Sequence, residues 1–240
     1  MRIAVLSDIH ANLIALDAVL GSVGSVDAVW HLGDVVGYGP EPDAVVERLT
    51  AIGAIGVRGN HDSAACGGPE IEQFNPDARA AMEWTRATIG EATRGWLARL
   101  PERRVDGAFS LVHGSPRDPM WEYVTSIPVA LANLAVLGTP YGLHGHTHIP
   151  VVFRQDDRGV EAVSPSSGSR LELDERRSLL NPGSVGQPRD GDPAASYMVL
   201  DIAAPSCSWH RVAYDIAAVQ GAMGAAGLPA RLAARLSYGI

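Results

Sequence analysis

The sequence predicts an α/β fold on two observations. Short apolar segments alternate with helical patterns as far as residue 148, and from Val151 the pattern changes to a series of short β-like runs. Residues 2–6 read as a short buried strand closed by Ser7-Asp8. Residues 12–20 carry Leu13, Leu16 and Leu20 at helical spacing and stop at Gly21. Residues 27–32 form the next strand, ended by Gly33-Asp34. Residues 42–52 read as a helix, with proline at its start and Gly53 past its end. Residues 54–57 are a third strand, running into Gly59-Asn60.

Residues 77–100 have a helical pattern that can break near Gly90 and is terminated by Pro101. Residues 109–112 are a strand leading into His113-Gly114, residues 129–137 a helix, and residues 141–148 a strand end. The late β-like runs are 151–153, 160–163, 171–173, 179–180, 197–202 and 209–212, followed by helices over 215–223 and 228–236. No repeat or linker interrupts the 240 residues, so one domain over 1–240 is the expectation.

Composition removes several classes of function. At 46% hydrophobic residues the chain has enough apolar material for a full core. No apolar run approaches the ~18 residues of a membrane-spanning helix, and residues 3–6 are too short for the apolar region of a secretion signal, so a cytoplasmic protein with no membrane partner is expected. Cys66 and Cys207 are too few for a disulfide framework or a four-thiolate zinc site. With 19 basic and 27 acidic residues the net charge is −8, which argues against broad nucleic-acid binding but leaves room for an anionic substrate at a local positive site. Every basic residue is arginine, which excludes a lysine Schiff base and a lysine-dependent phosphate loop.

Five polar clusters follow apolar strands: Asp8-Ile9-His10, Gly33-Asp34, Gly59-Asn60-His61-Asp62, His113-Gly114 and His144-Gly145-His146-Thr147-His148. Loops at the carboxyl ends of strands in an open α/β sheet converge on one crevice. Together they offer carboxylate, amide and imidazole donors without thiolate, a set suited to Mn, Fe or Zn. On an extended segment Asp8 and His10 point the same way, as do His146 and His148. Gly33, Gly59 and Gly145 sit where tight turns would aim these side chains inward. Taken singly, Asp8, Asp34, Asn60 and Asp62 are equally suited to be turn or cap residues; it is the combination that favours ligands.

In this order the clusters resemble the calcineurin-like metallophosphoesterase superfamily, and residues 181–186 (Asn-Pro-Gly-Ser-Val-Gly) resemble a segment of its small bacterial phosphodiesterase branch. The resemblance implies a four-layer α/β/β/α sandwich of two mixed sheets flanked by helices, with the late β-rich stretch supplying the second sheet. It implies two divalent or trivalent metal ions (Mn, Fe or Zn). Asp8, His10 and His148 would hold one, Asn60, His113 and His146 the other, with Asp34 shared. His61 would face the substrate and assist the leaving group, and Asp62 would orient His61. Ala11 departs from the family pattern, in which glycine is common, and His144 stands where an apolar residue is usual.

The activity implied is hydrolysis of a phosphate ester, a small nucleotide-like or organic diester, by hydroxide held between the metals. A phosphoprotein phosphatase or a dinucleoside polyphosphate hydrolase are alternatives within the class. A non-catalytic scaffold of this fold would be expected to have lost His61 or several ligands, which this chain keeps. Substrate choice is expected to lie in loops 66–75 and 114–125, and self-association is left open. Arg58, Arg117, Arg154 and Arg189 lie near the motifs and could bind a substrate phosphate bidentately, but solvated charge or a local ion pair is the simpler reading of each. His31, His144 and His210 read as structural, Tyr38 as a cleft or turn aromatic, and the five tryptophans as core or interface.

Overall fold

The first strand, β1 (Arg2–Leu6), shows how the layers arise. Its side chains alternate between faces, so Ile3 and Val5 enter one apolar cluster while Ala4 and Leu6 enter another. The computed structural model describes residues 1–240. In it β1 pairs in parallel with β2 (Ala28–His31), which pairs with β3 (Ile55–Gly56). On its other side β1 runs antiparallel to β11 (Ala195–Asp201), followed by β12 (Ser206–Val212) and β9 (Arg170–Glu172). The second sheet contains β4 (Arg103–Asp106), β5 (Phe109–Val112), β6 (Tyr141–Leu143), β10 (Ser178–Asn181), β7 (Val151–Asp156) and β8 (Gly159–Val163), neighbouring in that order. Both sheets mix parallel and antiparallel pairs.

The two sheets meet through Ile3, Val5 and Trp30 on one side and Phe109, Leu111 and Leu143 on the other. On the outer face of the first sheet, α1 (Leu13–Ser22), α2 (Pro42–Ala51) and α5 (Glu91–Arg99) pack Leu16, Val45, Leu49 and Leu97 against Ala4 and Leu6. On the outer face of the second, α6 (Ile127–Val136) packs Ala130 and Leu134 against Phe153 and Leu179. The order of layers is α/β/β/α. A further apolar cluster joins α4 (Pro76–Thr88), α7 (Ile216–Ala225) and α8 (Ala230–Arg235) around Tyr38. No helix is long and apolar enough to cross a membrane.

The late β-rich stretch does not supply the second sheet alone. Its strands divide, with β7, β8 and β10 in one sheet and β9, β11 and β12 in the other, while β4 to β6 come from mid-chain. The pattern over 77–100 splits at Ile89-Gly90, where the Gly90 amide donates to the Asp43 carboxylate. The strand over 141–148 ends at Leu143. β4 lacks an apolar signature because it is an edge strand, with Val105 more than half exposed.

His31 is a structural residue, as its sequence context implies. It is fully buried, stacked on Trp96 at 5.5 Å, with both ring nitrogens unpartnered. Burial pushes it down to about 3 from the ordinary 6.5. Below pH ~6.5 the unfolded chain binds a proton that the folded chain refuses, so stability falls with pH by up to about 1.4 kcal/mol per unit until about 3. In His31→Leu the acid limb of a urea-unfolding pH series is expected to flatten by one proton; an unchanged slope would refute the assignment.

Candidate metal centre and active site

The predicted ligands converge at the carboxyl ends of β1, β2, β5 and β6 and at the start of a short helix, α3 (Asn60–Ala65). Asp8, His10, Asp34 and His148 each bring a donor atom within 4.8 Å of the others, and Asp34, His113 and His146 do the same. The Oδ1 of Asn60 lies 3.1 Å from His113 Nε2. All seven are buried, the most exposed at 3%.

Their convergence does not come from strand alternation. Asp8, His10, Asp34, His146 and His148 have φ between 50° and 67°, as do Ala11 and Tyr38. This left-handed region is unfavourable for residues with a Cβ, though Asp and His enter it more readily than most. The expectation that Asp8/His10 and His146/His148 align on extended segments is therefore corrected: contorted loops, rather than strands, aim them. Ala11 adopts φ 51° where glycine would be at ease. The approach of the loops is set by glycine, since a Cβ on Gly59 would collide with Asp34 and one on Gly145 with Ser7.

The hydrogen bonds behind the imidazoles define which nitrogen faces inward. His10 Nδ1 bonds to the Val36 carbonyl (3.3 Å), His113 Nδ1 to Leu32 (2.9 Å) and His148 Nδ1 to Gln187 (2.6 Å). A carbonyl accepts, so each Nδ1 carries a proton and Nε2 is the nitrogen turned inward, a lone-pair donor in the neutral rings of His10 and His148 and the site of a second proton in His113. Yet His10 Nε2 and His148 Nε2 face each other at 3.1 Å, and His113 Nε2 faces His146 Nδ1 at 2.9 Å. The opposed lone pairs of His10 and His148, and the His113 proton held between His146 and Asp34, are places a cation fits beside two buried carboxylates.

The electrostatics agree. Burial raises Asp8 to about 7. Burial also opposes ionisation of Asp34, but the charge of His113, then His61 and His10, holds it well below the usual range. Burial disfavours the charged form of His113, yet Asp34 prevails and raises it to about 9, so a proton there compensates the carboxylate as a cation would.

His61 lines the same pocket as Asp34, Asn60, His146 and His148. Its ring stacks on Phe74 at 4.5 Å, its backbone amide donates to Asp34 Oδ1 (2.9 Å), and its Nδ1 has no partner. Burial lowers its pKa to about 4, so the ring is neutral at physiological pH. Asp62 makes no hydrogen bond to the His61 ring, so the orienting role expected of it has no direct bond to act through. Its Oδ1 accepts from the Val35 and Val36 amides (2.8 and 3.1 Å) and its Oδ2 from Gly59 N (3.0 Å). From the third position of α3 it accepts from the amide of the cap residue Gly59, which has no side chain to reciprocate, and it ties that helix to the Asp34 loop.

Several residues were not legible as functional. Asn181 donates to the Gly145 carbonyl and Thr147 Oγ1 and accepts from Gly183 N, bracing the loop that carries His146 and His148. Asn181→Leu leaves buried groups unpartnered and is expected to cost about 2–4 kcal/mol, read as a lower melting temperature together with weaker metal binding. Of the four arginines, three are in ion pairs: Arg58 with Glu102, Arg117 with Glu122, Arg154 with Asp174. Arg189 instead enters the pocket, 5.9 Å over the Tyr38 ring and tethered to the neutral Gln187 Oε1. Trp121 lines the pocket as well, with Gln73, Phe74 and Tyr123 from the two loops singled out in the sequence. His144 lies outside both donor groups, buried beside Asn181. Tyr38 packs edge-on against His10 at 4.6 Å.

The fold and this donor set define a class. Residues 1–204 match the calcineurin-like phosphoesterase superfamily domain, and the chain belongs to that superfamily. An uncharacterized protein of Methanocaldococcus jannaschii is 36% identical over 222 residues, 89% of this chain and 88% of that protein. The phosphodiesterase YfcE of Escherichia coli K12 is 29% identical over 213 residues, covering 84% and 88%. The crystal structure of a metallophosphoesterase from Sphaerobacter thermophilus superposes with a TM-score of 0.93 at 44% identity, over 100% of this chain and 99% of that one. A hypothetical protein from Pyrococcus horikoshii OT3 shares the fold at TM-score 0.83 and 20% identity, over 100% and 98%. The chain is thus a calcineurin-like phosphoesterase with a buried Asp/His cluster able to hold metal.

Proposed function

We propose that this protein is a dinuclear metal-dependent phosphodiesterase acting on a small nucleotide-like or organic diester. The observation that carries the reading is the pair of buried donor groups that have Asp34 in common. Asp8, His10 and His148 would hold one ion and Asn60, His113 and His146 the other, each with Asp34. Ions of the Mn, Fe or Zn type supply Lewis acidity at the phosphoryl oxygens and bring the pKa of a water to about 7.

The chain's own residues position the remaining chemistry. Backbone carbonyls behind His10, His113 and His148 fix the tautomers that turn Nε2 inward. His61, neutral and wedged between Phe74 and Tyr38, would donate a hydrogen bond to the departing oxygen. This reading requires no covalent phospho-enzyme, and a single in-line displacement inverts phosphorus. The name of the E. coli relative supports diesters over monoesters.

The test is a panel of mono-, di- and polyphosphate esters against metal-stripped protein reconstituted with Mn, Fe or Zn. Diester hydrolysis exceeding monoester hydrolysis, with two ions bound per chain, is the expected result. Monoester hydrolysis alone would overturn the diester assignment, and inactivity with every metal would point to a scaffold.

A further inference from the structure

Beside the donor groups, the pocket has a volume of about 100 Å³ and an uneven wall. One part is cationic: Arg189, whose guanidinium is held by a neutral amide rather than a carboxylate, so its charge remains available to an anion. Another part is aromatic. Tyr123 stacks on His146 with ring centroids 3.9 Å apart and planes 19° from parallel. One Tyr123 face is therefore covered, yet the residue is 47% exposed, so the opposite face is open to solvent. Trp121 approaches His146 edge-on at 6.2 Å and meets Phe74 at 6.1 Å, also edge-on, standing as an apolar wall across the Tyr123 stack. The exposed amides of Gln73 and Asn75 complete this side. A bare alkyl group would gain nothing from such amides, whereas a planar heteroaromatic ring offers a face to the tyrosine and polar edges to the amides.

We propose that the substrate is a phosphodiester with a planar heteroaromatic ring on one arm, Tyr123 being the stacking platform and Arg189 the anchor for the phosphoryl group. The inference rests on the phosphodiesterase reading and narrows it to nucleotide-type diesters. Because Tyr123 lies on His146, ring binding and the donor cluster share one support.

The test compares adenosine 5′-monophosphate with ribose 5-phosphate, which differ by the ring alone, in calorimetric titrations of metal-loaded protein. The ring is expected to tighten binding about tenfold or more. In Tyr123→Ser the ratio of the two affinities is expected to fall toward one, and in Tyr123→Phe to be kept. Ribose 5-phosphate affinity in the same variants reports whether the phosphoryl site survives. Arg189→Gln is expected to weaken both ligands by a similar factor, about tenfold. Equal affinities in the natural protein, or a ratio that survives Tyr123→Ser, would overturn the proposal. Hydrolysis assays on the methyl esters of both ligands separate the two failures. If neither ester is cleaved, the phosphodiesterase reading falls while the affinity ratio still decides the ring. If both are cleaved and bind equally, that reading stands and the ring preference falls.

Discussion

Asp34→Asn is expected to empty both donor groups of metal and to lower diester hydrolysis by at least about a thousandfold. The substitution is nearly isosteric, and Oδ1 can still accept from the His61 amide, so the fold should persist. What is lost is charge. Asp34 Oδ2 lies 3.3 Å from His113 Nε2 and 3.7 Å from His10 Nε2, one from each donor group. A unit charge about 4 Å from a cation is worth about 4 kcal/mol at an effective dielectric of 20, about a thousandfold in affinity, and here two ions would feel it. His10→Ala and His146→Ala, by contrast, should each weaken one ion more than the other. Elemental analysis beside kcat checks this; two ions per chain in an active Asp34→Asn protein would dismiss the shared ligand.

Asp62→Ala has the second-largest expected effect, and it falls on stability. Three buried amides, those of Val35, Val36 and Gly59, lose their acceptor. At about 1–3 kcal/mol each, partly relieved by relaxation, the loss is about 3–5 kcal/mol, or about 10 °C in Tm for a chain of this size. The carboxylate is itself unfavourably placed, raised to about 7 by burial and then by Asp34, so its retention reflects the geometry it enforces. Asp62→Asn keeps one acceptor but turns an amide donor toward Gly59, and should lie between. Were Asp62 there to orient the His61 ring, Asp62→Ala would instead change the pH–rate profile while leaving the melting temperature in place. Thermal melts and pH profiles of the two variants decide between these roles.

How much of this was legible in the sequence depends on how local the cause is. Residues 109–112 were placed to the residue because Phe109, Leu111 and Val112 between turn signals leave little choice. The convergence of the seven candidate ligands was legible because metal chemistry needs those residue types, whatever the backbone does. The backbone was not: parity along an extended strand was the natural reading of Asp8/His10, and the loops take left-handed turns that no periodicity encodes. An acid that accepts from backbone amides at the start of a helix and an acid paired with a histidine look alike in sequence, so the backbone partners of Asp62 were not legible there. Arg189 and Tyr123 became visible only when distant segments met: Arg58, Arg117 and Arg154 found carboxylates, and nothing in sequence marks which arginine will not. The distribution of the late strands over both sheets is likewise a matter of long-range pairing, which short apolar runs do not specify.

The left-handed peptide units at Asp8, His10, Asp34, His146 and His148 bear on how this protein could change over time. Each lies where glycine would be more comfortable by about 1–2 kcal/mol. A descendant released from catalysis could accept glycine at the histidines among them and shed that strain, whereas a working enzyme cannot, so durability and chemistry compete at the same few positions.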